Sequence, residues 1–471
     1  VLMAQQNWDD HDRSNRYTCR DFGGDYLRSL APNAIIFTNG DNDTFPLWYN
    51  QEVEGDCKDD SLKAQYQNKR VANLSYLQMA WYVSQMTRDA YESKGVDLSL
   101  EEADYSMGKL DVAYVVDAMK GQSLNVVDAI KLLKDPVLQN NVKKRVGMDA
   151  EDASIIPCTH LYLEVDSAEA VNNAGAAPEK IHTELNNFRY ELQKNILNNA
   201  SLNPEQKRAE LAKLLTLKTY RINIDLSSKR YLGKHEIFIL DLLANNHWKR
   251  PVYYAVTVGG DSKLGLQPYF RLEGMAYRVM PYHCGSRCET NIMYDNLMRK
   301  FEFGNASDPN VYLEENNLRM CSTFRNMYVM LAGDLYEEGK KDSCLKVLDY
   351  VMEKLPSTTV PMGEYDLGIV DIYYRLGKTE IADKYAAEMV KTASQYVTWF
   401  SAMNQGRRRS TSYEFSKQRR LLATLGGLLH NYNRKEMVAD CELALNQSAV
   451  AFQEISAAAP SDGASYDDEE D

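Results

Sequence analysis

Hydrophobic positions come in short blocks broken by turn clusters through roughly the first 310 residues. After that they change to helical spacing. Ala34-Ile35-Ile36-Phe37-Thr38 is an unbroken apolar run rich in β-branched residues, the pattern of a buried strand. Asn39-Gly40-Asp41-Asn42-Asp43 follows as a turn cluster. Thr44 is placed to cap the next helix, with Pro46 in its first turn, where a missing amide proton costs nothing. That helix carries Leu47, Trp48 and Val53. A second strand is expected over 70–75 and a second helix over 79–91. Strand–helix–strand–helix predicts an α/β domain with a mixed, partly parallel sheet. Further strands are expected at Ile155-Ile156, 161–165, 221–226 and 251–257, the last ended by Gly259-Gly260-Asp261. Helices are expected over 178–199, 204–215 and 234–244, the first two with the polar, charge-mixed faces of surface helices.

From about Val311 the strand patterns stop and a repeat begins. Tyr328, Ala332, Leu335, Gly339, Cys344, Leu348, Val351 and Pro356 fall at the packing positions of a tetratricopeptide repeat. Ile369, Tyr373, Gly377, Ala382, Ala386 and Met389 recur at the same internal spacing. Gly339 and Gly377 mark the reversals between paired helices, and Thr358-Thr359-Val360-Pro361 is extra length between the units. A degenerate third unit is expected around Gly427, Ala439 and Leu443. The chain therefore reads as an α/β domain over 1–310, an all-α domain of tetratricopeptide-like helical repeats over 311–456, and an acidic tail over 457–471. That tail contains Asp467-Asp468-Glu469-Glu470-Asp471 and has the composition of disorder.

Composition narrows the function. The 471 residues carry a net charge of −13, which argues against nucleic acid as a partner. No window approaches the roughly 18 apolar residues of a membrane span. Eight cysteines are scattered, so they do not form a disulfide scaffold. Only Cys284 and Cys288 are close, with His283 beside them; a local disulfide fits that spacing better than a metal site. The 31 tyrosines suit grooves and interfaces as well as cores. Gln395-Tyr396-Val397-Thr398-Trp399-Phe400, Arg407-Arg408-Arg409, Arg419 and Arg420 make an aromatic and basic patch in an acidic chain. It suits either a solvated loop beside a packed helix or a face for anionic headgroups or an acidic partner.

The motifs of metalloproteases, nucleotide-binding loops and nucleophile elbows are missing. Two acidic clusters remain. Asp9, Asp10, His11 and Asp12 are weak metal candidates, though consecutive side chains diverge, and Asp12 is also placed to cap a helix running to about Leu30. Asp41, Asn42 and Asp43 follow a strand and open a helix, the edge of an α/β sheet where ligands gather. Two carboxylates there suit a metal or a sugar hydroxyl, or simply a turn, and Trp48 and Tyr49 add aromatic faces. Asn245-Asn246-His247-Trp248-Lys249-Arg250-Pro251 is a second polar–aromatic turn, so His247 and Trp248 join the ligand-binding candidates. A cleft between the two turns is one expected site.

The stretches NWDDHDRSNRY, NAIIFTNGDNDTFPLWYNQEVEG, RVANLSYL, ANNHWKRPVYYA, IMYDNLMRKF and YLEENNLRM, in order over about 5–320, carry a resemblance. Together they resemble the soluble C-terminal region of a bacterial membrane-protein family widespread in Bacteroidetes and long without a known function. That family is similar to the animal protein O-mannosyltransferase acting on plexin-type receptors. The insertion over 57–68 departs from its pattern. The resemblance implies a multi-span glycosyltransferase using a polyprenyl-phosphate sugar. This chain would be its soluble region on the periplasmic side of the inner membrane, and Val1-Leu2-Met3-Ala4 reads as the stub of the exit from the last span. Catalytic residues would lie in the membrane portion, so none is expected here. A lipid-linked sugar donor or a divalent metal would belong to the full-length protein. The implied role is accessory: the α/β part against its own transmembrane region, the repeats holding acceptor polypeptide or a protein partner. The alternatives are a metal-dependent enzyme or a carbohydrate-binding domain built on Asp41 and Asp43.

Overall fold

The apolar run at the start of the chain becomes β1 (Ile35–Thr38), four residues all buried. The computed structural model describes residues 12–55, 60–106, 110–148, 153–285 and 287–456. Asp9, Asp10, His11, Cys57 and the acidic tail lie outside them. The chain divides into two compact units: the described parts of Val1–Asp21 with Glu302–Asp471, and Phe22–Phe301.

Three sheets organise the Phe22–Phe301 unit. In chain order the strands are β1, β2 (Arg70–Asn73), β3 (Val112–Val115), β4 (Ser123–Asn125), β5 (Ser154–Ile156) and β6 (His160–Asp166). They continue as β7 (Thr219–Asp225), β8 (Tyr231–Gly233), β9 (Val252–Ala255), β10 (Phe270–Leu272) and β11 (Ala276–Val279). The main sheet has the order β10-β11-β9-β1-β2. Its strands β2, β1 and β9 are parallel, while β11 and β10 close one side antiparallel. The smaller sheets, β5-β3-β8 and β4-β6-β7, are each half parallel and half antiparallel. The unit is thus mixed α/β with partly parallel sheets, as the alternation of elements predicts. Runs buried on every residue, as in β1, β2 and β9, belong to a sheet covered on both faces. Strands β6 and β7 alternate buried and open residues because only one face is covered.

The Lys234–Asn246 helix delivers the chain to β9 and sets Phe238 edge-on to Phe37 of β1, with centroids 6.4 Å apart. The Asp41–Tyr49 helix joins β1 to β2. Gly23 lies so close to it that a Cβ there would stand 2.3 Å from the Pro46 carbonyl oxygen, so only glycine permits that approach.

Several expected boundaries move. The Asp41–Tyr49 helix begins at Asp41, so Thr44 is not its cap; the Thr44 hydroxyl instead donates to the Gly40 carbonyl at 2.8 Å. Pro46 sits inside this helix. The carbonyl it leaves without a helical partner belongs to exposed Asn42, where water can serve. The helix expected over 79–91 is only Ala80–Met86; past it the Met86 carbonyl accepts from the Val96 amide at 2.9 Å, and the Arg70 guanidinium takes the carbonyls of Gln85 and Arg88. Asp12 does not cap the Thr18–Ser29 helix. It closes a local turn, accepting from the Ser14 amide at 2.8 Å and the Ser14 hydroxyl at 2.5 Å. The local disulfide expected between Cys284 and Cys288 is not formed.

The other unit is helix-rich. Asp21 accepts from the Gly304 amide at 2.7 Å, and Tyr17 donates its amide to the Gly304 carbonyl at 3.2 Å, so its two chain segments are tied together. Helices Glu315–Glu337 and Lys341–Lys354 form one hairpin, and Leu367–Arg375 and Thr379–Ala402 a second. Ser412–Asn431 and Lys435–Gln447 form a third. Each reversal has a left-handed residue: Gly339 (φ 77°), Gly377 (φ 73°) and Asn433 (φ 58°). Each makes the same two backbone hydrogen bonds. Gly339 and Lys340 donate to Tyr336 and Leu335, Gly377 and Lys378 to Tyr374 and Tyr373, and Asn433 and Arg434 to His430 and Leu429. The third hairpin turns at Asn433 and contains Gly427 in its first helix and Ala439 and Leu443 in its second. Cys344 is fully buried, in keeping with a packing role. The extra segment 358–361 is gathered by Arg325, itself fully buried. Its guanidinium donates to the carbonyls of Leu355 (2.7 Å), Val360 (2.5 Å) and Pro361 (3.3 Å) and to the Asp366 carboxylate (3.3 Å).

The basic patch is also resolved into parts. Gln405–Ser410 is a short helix. Arg408 reaches Glu454, Arg419 takes the Leu445 carbonyl at 2.8 Å, and Arg420 makes a two-pronged bond to Glu364, both contacts 2.9 Å. Arg407 and Arg409 remain exposed.

Candidate ligand surface at the carboxyl edge of the main sheet

Because β1, β2 and β9 are parallel, the loops that leave them emerge together. After β1 the chain turns at Gly40 (φ 75°) toward β2; after β9 it leaves toward β10 and β11 on the other side. The connections diverge between β1 and β9, the place where open α/β sheets leave a crevice. Asp43 occupies it. Its carboxylate is buried and accepts from the Thr257 hydroxyl just beyond β9, and the Tyr26 hydroxyl lies 3.4 Å from Thr257. Burial and the Asp43 carboxylate push the Tyr26 hydroxyl well above the usual tyrosine range. Asp43 is therefore turned inward and stitches two loops together.

Asn73, the last residue of β2, completes the frame. Its side-chain amide donates to the Thr44 hydroxyl at 2.8 Å, and its carbonyl oxygen accepts from the Tyr76 amide at 3.0 Å. Thr44 in turn lies 2.8 Å from the Thr38 hydroxyl. These buried bonds fix where Asp41, Asn42 and Tyr76 stand.

Asp41 and Asn42 face solvent. The Tyr76 hydroxyl donates to Asp41 at 3.3 Å, and its ring stacks on Trp48 with centroids 6.0 Å apart and planes at 27°. Phe45 extends the run, 5.7 Å from Trp48 at 30°, and is 47% exposed. Tyr82 supports Tyr76 edge-on from within, and Trp81, 52% exposed, meets Tyr82 in the same manner. Tyr49 is partly open and donates to Glu54 at 3.1 Å, so it is tied to its own helical stretch.

His247 and Trp248 lie elsewhere. Both precede β9 and adopt left-handed backbone angles, φ 46° and 59°. They stand at the amino edge of the parallel strands, opposite Asp41 and Trp48, so the two polar–aromatic turns do not share a cleft. His247 lies 3.3 Å from Glu169, and its carbonyl accepts from Asn173 at 2.9 Å. A cavity of about 450 Å³ opens at this edge, lined among others by Asn33, Asp89, Lys94, Asp97, Asn246 and Arg250. Arg250 is occupied, donating to the carbonyls of Asn33 (3.0 Å), Lys94 (2.8 Å) and Gly95 (3.1 Å) and to the Ser93 hydroxyl (3.0 Å). Burial, then the neighbouring Arg70 charge, lower it to about 10.

Of the candidates read from sequence, the structure brings together Asp41, Asn42 and Trp48, turns Asp43 inward, and separates His247 and Trp248. Tyr76, Asn73 and Thr257 carry the arrangement without having been singled out. Tyr76 lies within the stretch RVANLSYL, but nothing local marks its ring as a partner of Trp48. Among the described residues, no group of three or more His, Cys, Asp or Glu side chains is placed to hold a metal ion. None of the described helices is long and apolar enough to cross a membrane.

With this geometry in place, the comparison with known families is direct. The family described as TMEM260-associated domain 2 matches residues 19–203 and 206–296, more than half of the chain. The chain belongs to that family, and the matched residues fall almost wholly in the Phe22–Phe301 unit. No curated protein and no solved structure matches the chain.

Proposed function

We propose that this chain is the accessory region of a membrane-embedded protein glycosyltransferase that uses a polyprenyl-phosphate sugar, and that it holds polypeptide rather than making bonds. The family match carries the reading: the family is named for TMEM260, a plexin-type protein O-mannosyltransferase. On this reading the chain is the periplasmic part of a bacterial relative of the kind found in Bacteroidetes. A multi-span region tethers it to the inner membrane, and that region supplies the catalytic residues, the lipid-linked donor and any divalent metal.

The three hairpins, with their shared turn geometry, support a tetratricopeptide-like reading of the helical unit. Stacked hairpins of this type present a concave face to extended or helical peptides. Acceptor polypeptide or a protein partner would lie there, while the Phe22–Phe301 unit would meet the chain's own transmembrane region.

The test is sugar transfer from a polyprenyl-phosphate donor to acceptor polypeptide. The isolated chain is expected to give no turnover, and robust turnover by it would refute the accessory role.

A further inference from the structure

We infer that the run Phe45–Trp48–Tyr76, rimmed by Asp41 and Asn42, is a binding surface for a neutral pyranose glycan. The inference goes beyond the preceding reading and does not depend on it, because it rests on these side chains alone.

The rings are left in water although burying them would be favourable. Phe45 is 47% exposed and Trp81 52%, while Trp48 and Tyr76 are half-buried. Isolated exposed rings need no explanation; a contiguous set held in near-parallel planes does. The set is also held in place before any ligand arrives. Asn73 pins the Tyr76 backbone, Tyr82 braces its ring, and Trp48 is anchored on a helix whose start is bonded to β2. Such preorganisation lowers the entropy cost of binding.

The rim decides the class of ligand. A purely apolar partner covering the rings would strip water from Asp41, Asn42 and the Tyr76 hydroxyl without replacing their hydrogen bonds. An anion would meet the Asp41 carboxylate beside the Tyr76 hydroxyl. A neutral pyranose meets both demands. Its C–H face lies against an aromatic ring, and its hydroxyls, at the ring edge, donate to the Asp41 carboxylate and exchange bonds with the Asn42 amide. Asp43 takes no part, since Thr257 holds it inside.

The experiment is saturation-transfer NMR with tryptophan fluorescence on the 471-residue chain, titrated with methyl α-mannopyranoside, methyl β-glucopyranoside, a neutral mannotriose and, as the charged comparison, glucuronate. At least one neutral sugar is expected to bind, and more tightly than glucuronate. Phe45→Ala and Asp41→Asn change exposed side chains and should keep the native circular dichroism. Each is expected to weaken that binding by about tenfold, or roughly 1.4 kcal/mol. Absence of a signal with every neutral sugar overturns the inference, and so does binding undiminished in both variants. Loss of binding to neutral phosphatidylcholine vesicles in Phe45→Ala, with no sugar signal, would assign the surface to lipid and equally overturn it.

Discussion

The Asn73 side-chain amide donates to the Thr44 hydroxyl at 2.8 Å, linking the end of β2 to the first turn of the helix that follows β1. Both groups are fully buried, so neither has water as a substitute partner. Through this bond, and through the Tyr76 amide on the other side of Asn73, the positions of Asp41 and Tyr76 become coupled.

Asn73→Ala should therefore cost more than an average substitution. It removes the acceptor of the Tyr76 amide and one bond of the buried Thr44 hydroxyl, which keeps Gly40 and Thr38 as partners, and a loss of about 1–3 kcal/mol is expected. Urea unfolding would read this as a lower midpoint. An unchanged midpoint would show that the bond does not hold the loops.

Thr257→Val keeps the shape of the side chain but removes the donor to buried Asp43, across a sequence separation of 214 residues. The expected destabilisation is about 1–3 kcal/mol, the cost of weakening a buried hydrogen bond to a charged group. Differential scanning calorimetry should show a lower transition temperature. Thr257→Ser, which keeps the hydroxyl, should lose less.

In the helical unit, burial pushes the Asp366 carboxyl above its ordinary value of 3.8, against the opposing effects of Arg325 and the Gly363 amide. Between 3.8 and that raised value the folded chain holds more protons than the unfolded chain. The contribution of Asp366 to stability is thus largest in acid and falls as pH rises through this window. Asp366→Asn should flatten that part of the pH dependence of the urea midpoint. A profile that keeps its slope would contradict the assignment.

Removing Arg325 is a separate matter. Arg325→Leu leaves the carbonyls of Leu355 and Val360 and the Asp366 carboxylate without their partner in a fully buried site. A loss of about 3–5 kcal/mol is expected. Circular dichroism melting should show the helical signal failing at lower temperature; near-native melting would contradict the role given to Arg325.

The hairpin reversals separate glycine's conformational freedom from its small size. Space is open around Gly339 and Gly377, so a Cβ meets nothing, yet φ is 77° and 73°. Gly339→Ala should then cost about 1–2 kcal/mol through backbone strain alone. Asn433→Gly, at φ 58°, should be close to neutral. Thermal melts of the two variants side by side would decide; equal effects would contradict the shared turn geometry.

Sequence and structure agree where the determining pattern is local. β1 is readable because all of its residues are buried, and the Pro178–Asn198 helix because its spacing and its proline at the start are both in the chain. The disagreements trace to distant groups. Thr44 looks like a cap, but its hydroxyl is claimed by Asn73, 29 residues on. The helix after Met79 looks longer, but the chain beyond Met86 is drawn into other bonds: the Met86 carbonyl accepts from the Val96 amide and Arg70 takes the carbonyls of Gln85 and Arg88. The third hairpin does contain Gly427, Ala439 and Leu443, but its turn is not marked by glycine, because asparagine, the other residue at ease in a left-handed turn, does the work at position 433. The candidate surface is half readable: Asp41, Asn42 and Trp48 lie together in sequence, whereas Tyr76 arrives only through the parallel pairing of β1 and β2. His247 and Trp248 share the chemistry of the first turn but are placed by the same parallel topology at the opposite edge.

The central claim is that this chain works as an appendage of a membrane glycosyltransferase. Purification of the native polypeptide from its source cells, followed by peptide mass spectrometry, tests it most directly. The account predicts a membrane-fraction polypeptide well above 53.7 kDa, with peptides from a multi-span region ahead of Val1. A native polypeptide of 53.7 kDa, free of the membrane fraction, would contradict it.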